Sequence, residues 1–155
     1  MKKTNAMIAA GAALFLTLTA ASAQAEVVNI GNEELKNVLK QGTPLIDLRT
    51  VSEWQQTGVV EGSQLIMLYD ERGRADAEQW LKQVELVADP AKPIALICRT
   101  GNRTGKAAQI LAQKYPNRTI YNVRDGITGW ARASQPVVSV QQNIAHAGIK
   151  CSPTC

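Results

Sequence analysis

The sequence predicts an α/β fold: a five-stranded, mainly parallel sheet with helices on both faces. Two patterns point to it. Short apolar runs alternate with stretches of helical spacing between residues 27 and 130. One of those runs, Ile94 to Ile97, is apolar at every position, as a central strand covered on both sides requires. Strands that alternate with helices connect through right-handed crossovers, which leaves neighbouring strands parallel.

The elements follow in order. Val27 to Ile30 reads as a first strand. Asn32 can cap a helix running through Lys40, with Leu35, Val38 and Leu39 on one face, and Gly42-Thr43-Pro44 breaks it. Leu45 to Leu48 is a second strand. Thr50 or Ser52 starts a short helix over residues 53–56, which Gly58 stops. Leu65 to Leu68 is a third strand. A longer helix from Ala75 to Val87 turns Trp80, Leu81 and Val84 inward, and Pro90 and Pro93 close that segment. The apolar strand at 94–97 follows. A helix from Arg103 to Lys114 carries Ala107, Ala108, Ile110 and Leu111 at helical spacing. Thr119 to Val123 is the fifth strand, and a last short helix passes through Ile127 and Trp130. Trp54, Trp80 and Trp130 read as core residues.

The ends of the chain read differently. Lys2 and Lys3 precede an apolar run from Met7 to Ala20, and Ala23-Gln24-Ala25 is a small-residue cleavage pattern. This is the layout of a secretory signal peptide over residues 1–25, with an apolar core too short for a comfortable membrane span. The mature chain is expected to begin at Glu26, to reside in the periplasm and to have no membrane-spanning segment. About 130 residues then remain, which suits one domain over 26–138. The segment 139–155 is polar and without period, and is expected to lie outside the core as a C-terminal tail.

The formal charge of the whole chain is +4. Without Lys2 and Lys3 it falls to about +2. With no basic tract and no run of exposed aromatics, nucleic acid is not an expected partner. The three cysteines are Cys98, Cys151 and Cys155. In an oxidising compartment the simplest partition pairs the two tail residues and leaves Cys98 free. His146, the only histidine, lies in the tail, so neither a Cys-His catalytic pair nor a metal site is expected, and no cofactor is called for.

Cys98 stands where chemistry is expected. It ends the apolar strand and opens the stretch Cys98-Arg99-Thr100-Gly101-Asn102-Arg103. In open parallel sheets, sites form beyond the carboxyl ends of the strands. Cys98 lies at one such end, and Asp47 and Arg49 lie at another. An ordinary cysteine is only a few per cent thiolate at neutral pH. Three features favour the anion here. The N-terminus of the following helix is worth about 0.3–1 kcal/mol. Loop N–H groups can turn toward the sulfur as an anion nest, with Gly101 making the turn tight and Asn102 tolerating a left-handed backbone. Arg99 and Arg103 add full charges. The same cradle suits an anionic substrate. Asp47 and Arg49 read either as a strand-end ion pair or as a substrate contact.

Three segments resemble the rhodanese-like sulfurtransferases, in particular their small, exported, single-domain members. "LIDLRTVSEWQQTGVVEGSQLI" (45–66) resembles the family's strand, Asp-x-Arg, short helix and Gly-containing turn. "IALICRTGNRTGKAAQIL" (94–111) resembles its active-site strand, loop and helix. "IYNVRDGITGWARASQPV" (120–137) resembles its closing Gly-x-x-x-Trp segment. The chain departs from the pattern at Gly58-Val59-Val60, where the family often has Gly-His-Ile, and at Asp125, where a second glycine is common.

The resemblance implies a parallel five-stranded sheet and sulfur transfer through a persulfide on Cys98. The loop from Cys98 to Arg103 would hold the substrate. Related phosphatases and arsenate reductases use Cys-x5-Arg, which fits a tetrahedral oxyanion. Here the spacing is Cys-x4-Arg and Thr104 occupies the phosphatase position, so the smaller loop suits a sulfane sulfur. The basic residues Arg99 and Arg103 imply thiosulfate as donor, with cyanide or a thiol as acceptor. Asp47 and Arg49 would brace the loop. A second reading is a sulfur-carrier or interaction module without turnover, in which the Cys151/Cys155 dithiol takes sulfur from Cys98, with a periplasmic redox protein as partner. Against it stands the plainer reading of that pair as a small inert disulfide or a disordered end.

Overall fold

A computed structural model describes residues 24–146, 148–152 and 155. The proposed signal segment lies almost entirely outside them. The strands are β1 (Glu26–Ile30), β2 (Leu45–Asp47), β3 (Gln64–Ile66), β4 (Ile94–Ile97), β5 (Thr119–Val123) and β6 (Cys151–Ser152). The helices are α1 (Asn32–Lys40), α2 (Val51–Thr57), α3 (Ala77–Glu85), α4 (Asn102–Lys114), α5 (Gly126–Arg132) and α6 (Val140–Ile144). All strand pairs are parallel, in the order β1-β5-β4-β2-β3-β6.

Alternation along the central strand builds both cores. Ile94 and Leu96 face α3 and α4, where they meet Trp80, Val84, Ala107, Ala108 and Leu111. Ala95 and Ile97 face α1 and α5, where they meet Leu35, Val38, Ile127 and Trp130. That is why β4 is apolar at every position. A third cluster joins Trp54 of α2 to Val59, Leu65 and Val140. All three tryptophans are buried.

Local chemistry sets the boundaries. Gly31, not Asn32, caps α1, and the Asn32 amide instead donates to the Gly129 carbonyl at 3.0 Å. Thr50 caps α2 in a reciprocal box: its hydroxyl accepts from the Glu53 N–H, and the Glu53 carboxylate accepts from the Thr50 N–H at 3.0 Å. Asp76 caps α3, so that helix begins at Ala77 rather than Ala75.

Two expectations are corrected. The sheet has six strands, not five, and the segment after Ser139 is packed against the domain. Val140 and Asn143 are buried. The Asn143 amide donates to the Ser63 carbonyl at 2.8 Å, and its oxygen accepts from the Gly62 N–H at 2.8 Å. One apolar side chain and one amide dock α6, a pattern without the periodicity that betrays longer helices. β6 then pairs with β3 through Leu65 opposite Cys151 and Ile66 opposite Ser152. No helix among the described residues is long and apolar enough to cross a membrane.

Candidate active site

The strand order reverses at β2 and β4. From β2 the chain steps outward to β3; from β4 it steps the other way to β5. The crevice of an open parallel sheet forms at such a switch, beyond the carboxyl ends of the two strands. Asp47 ends β2 opposite Ile97, and Cys98 follows at the end of β4.

The Cys98 side chain is buried, with 1% of the residue exposed. Its polar neighbours are few and specific. The Gly101 N–H donates to Sγ at 3.2 Å. The Thr104 hydroxyl lies 3.7 Å from Sγ and donates to the Gly101 carbonyl at 2.7 Å. Gly101 is the cap of α4, so the sulfur sits at the positive end of a 13-residue helix. Arg99, Thr100 and Asn102 are exposed above it. The sulfur is therefore recessed beneath the loop, and the Cys98 side chain belongs to the same buried cluster as Leu48, Leu68 and Ala107.

Two glycines allow this arrangement. Gly101 has φ +87°, and a Cβ there would run into the Arg124 backbone. Gly126 has φ +56°, and a Cβ there would strike the carbonyls of Cys98 and Arg99. With that space open, the first turn of α5 clamps the loop: Ile127 N–H donates to the Cys98 carbonyl at 2.8 Å and Thr128 N–H to the Arg99 carbonyl at 3.1 Å. Sequence reasoning did not assign this role to Gly126, Ile127 or Thr128; the signal was the Gly-x-x-x-Trp segment itself.

Asp47 and Arg49 form a buried pair. Arg49 Nε lies 3.0 and 3.1 Å from the two Asp47 carboxylate oxygens, and Nη2 lies 2.7 Å from one of them. The remaining donors reach the Thr57 hydroxyl at 2.6 Å and the Gly58 carbonyl at 2.8 Å. The guanidinium is thus used up in tying β2 to the end of α2. Of the two readings offered by the sequence, this geometry is that of the ion pair. It also holds the Gly58 turn, which Val59 secures through a bridge with Val138.

Arg103 meets a partner 50 residues away. Its guanidinium forks onto the Glu53 carboxylate at 2.7 and 2.6 Å. Burial opposes ionisation of Glu53, but the Arg103 and Thr50 hydrogen bonds together outweigh it and hold its pKa down at about 2. The same bond to Glu53 pushes the Arg103 pKa up. Arg99, by contrast, forms no ion pair among the described residues. It lines a cavity of about 220 Å³ with Arg49, Glu53, Gln56, Thr57 and Thr128. A second cavity, of about 380 Å³, is lined by Asn102, Arg103, Lys106, Thr50 and Glu71.

Cys151 and Cys155 are joined in a disulfide, and Cys98 is the free cysteine, as the simplest partition expects. His146 in the tail lies 3.1 Å from Glu61.

The rhodanese-like domain matches residues 31–133. Thiosulfate sulfurtransferase 18 of Arabidopsis thaliana is 30% identical over 117 residues, which cover 72% of this chain and 84% of that protein. A thiosulfate sulfurtransferase structure from Pseudomonas aeruginosa superposes with a TM-score of 0.59 at 21% identity, over 81% of this chain and 21% of that one. The polysulfide-sulfur transferase homodimer from Wolinella succinogenes gives a TM-score of 0.57 at 22% identity, over 73% of this chain and 79% of that one. The two structures share the fold. With a cysteine loop seated at the switch point and a domain match over most of its length, this chain belongs to the rhodanese-like sulfurtransferase family.

Proposed function

We propose that the protein is a thiosulfate sulfurtransferase that works by double displacement on Cys98. The Cys98 thiolate attacks the outer sulfur of thiosulfate; the S–S bond of the donor breaks, and sulfite leaves with the electron pair. The sulfur is held as a Cys98 persulfide. Cyanide or a thiol then attacks that outer sulfur, leaving as thiocyanate or a new persulfide and returning Cys98 as thiolate.

The observation that carries the reading is the position of Sγ, 3.2 Å from the Gly101 N–H at the start of α4. That amide and helix end favour negative charge on the sulfur and on the persulfide that replaces it. The name of the Arabidopsis relative supports thiosulfate as donor. Since Arg103 is committed to Glu53, the residue assigned to the leaving sulfite is Arg99, exposed at the loop and bordering the smaller cavity. Glu53 holds the loop through Arg103, and Asp47 with Arg49 fixes the helix that carries Glu53. Export to the periplasm, foreshadowed by Lys2 to Ala25, belongs to the same proposal.

Intact mass after incubation with thiosulfate tests it. The expected result is a gain of one sulfur atom that cyanide removes and that Cys98→Ser abolishes. A chain that gains nothing, or that keeps the gain after Cys98→Ser, overturns the assignment.

A further inference from the structure

We infer that the Thr104 hydroxyl is a catalytic group: it accepts a hydrogen bond from the Cys98 thiol and, once the sulfur is ionised, turns to donate one to it. This rests on Cys98 reacting as a thiolate, as proposed above.

The contacts of one oxygen carry the argument. Thr104 is fully buried in the first turn of α4, at 0% exposed. Its Oγ1 lies 3.7 Å from Cys98 Sγ and 2.7 Å from the Gly101 carbonyl oxygen. A hydroxyl has one hydrogen and two lone pairs. A carbonyl cannot donate, so that hydrogen goes to Gly101. Only a lone pair is left for the sulfur. The arrangement suits a thiol, whose S–H donates to Oγ1. It does not suit a thiolate, because two acceptors would then face each other away from water.

One rotation removes the conflict. Turning the O–H about the Cβ–Oγ1 bond points the hydrogen at Sγ and moves no heavy atom. The carbonyl it leaves is not stranded, because the Gly105 N–H donates to the same Gly101 oxygen at 3.2 Å. The sulfur then has two donors, Thr104 Oγ1 and the Gly101 N–H. The thiol proton itself passes to water.

The other neighbours do not take this part. The Arg103 guanidinium feels the Cys98 sulfur, but it is forked onto Glu53. Asp47 and Arg49, at the end of the adjacent strand, are paired with each other. Arg99 is exposed. Leu48, Leu68 and Ala107, which share the buried cluster with Cys98, are apolar. From α5, the Ile127 N–H serves the Cys98 carbonyl and not the sulfur. The Thr104 hydroxyl acts in both halves of the transfer, since the Sγ anion is the nucleophile in the first and the leaving group in the second.

The test is the pH profile of Cys98 alkylation by iodoacetamide, on the full chain with its tail disulfide intact and no sulfur donor present. Thr104→Val keeps the shape of the side chain and removes the hydroxyl. Its profile is expected to lie about one pH unit above that of the wild type, a tenfold slower reaction at pH values below both midpoints. Thr104→Ser, which keeps the hydroxyl, should follow the wild type. If urea unfolding shows that Thr104→Val does not fold, Thr104→Ala is read in its place. A hydroxyl-free variant with the wild-type profile overturns the inference. So does a Thr104→Ser profile displaced as far as that of Thr104→Val, because packing would then set it, and so does a wild-type Cys98 that stays inert up to about pH 10. Because no donor is used, failure of thiosulfate to load Cys98 counts against the sulfurtransferase reading alone.

Discussion

The N–H of Ile127 donates to the carbonyl of Cys98 at 2.8 Å, so the backbone of the nucleophile is held by a helix that follows it by some thirty residues. The contact exists because Gly126, at φ +56°, brings α5 against the loop where any side chain would collide with the Cys98 and Arg99 carbonyls. Gly126→Ala is expected to cost about 1–3 kcal/mol of stability through backbone strain and displacement. It should also slow sulfur loading of Cys98 in the fraction that remains folded. Urea unfolding followed by intact mass after thiosulfate reads both.

Removing one member of the Asp47–Arg49 pair leaves a buried charge without its partner. Arg49→Met or Asp47→Asn alone is expected to destabilise by about 3–5 kcal/mol. The double change should cost less than the sum of the two, because neither charge is then stranded. A double-mutant cycle in urea checks this. Additive losses would mean that the two residues act separately.

The Glu53–Arg103 pair predicts a pH dependence. Glu53 has its pKa near 2 in the folded chain against an ordinary value of 4.5. The unfolded chain therefore takes up the proton first. The contribution to stability is present above pH 4.5 and is lost as pH falls from there toward about 2. Glu53→Gln should flatten the wild-type stability profile over that window. An unaltered slope in acid denaturation curves of the variant would show that other carboxylates set it.

What the sequence made legible, and what it hid, divides by distance along the chain. The strand at Thr119–Val123 has the bounds that its apolar pattern gives, and the helix after Gly101 was visible because local composition and spacing carry both. Cys98 was legible for the same reason: a cysteine at the end of an apolar strand, followed by glycine and arginine, is a local signal. The partner of Arg103 was not, since Glu53 lies 50 residues away and nothing near either residue names the other. Asp47 and Arg49, two residues apart, left two readings that only the burial of both side chains resolved. Asn143 was hidden most completely, because a single buried amide has no periodicity.

That amide offers a direct test of how the tail is docked. Asn143 serves the Gly62 N–H and the Ser63 carbonyl at once. Asn143→Leu should leave the buried Ser63 carbonyl without its donor, at about 1–3 kcal/mol, and the partly buried Gly62 N–H without its acceptor at a smaller cost. Limited proteolysis should then cut the segment after Ser139 faster than in the wild type, with urea unfolding shifted to lower concentration. A variant as resistant as the wild type would mean that Val140 and β6 suffice to hold the tail.

Arg99 carries the last prediction, because it separates donor binding from loop structure. It is exposed and without an ion pair among the described residues, whereas Arg103 is held by Glu53. Arg99→Ala should therefore leave unfolding unchanged and raise KM for thiosulfate by about tenfold, the equivalent of about 1.4 kcal/mol of lost anion binding. Added salt should weaken the wild type toward the variant, because screening acts on exposed charges. Arg103→Ala should behave in the opposite way, lowering stability before it alters KM. If steady-state kinetics with thiosulfate and cyanide show the same KM for Arg99→Ala and wild type at low salt, Arg99 does not meet the donor, and its place at the cavity is structural.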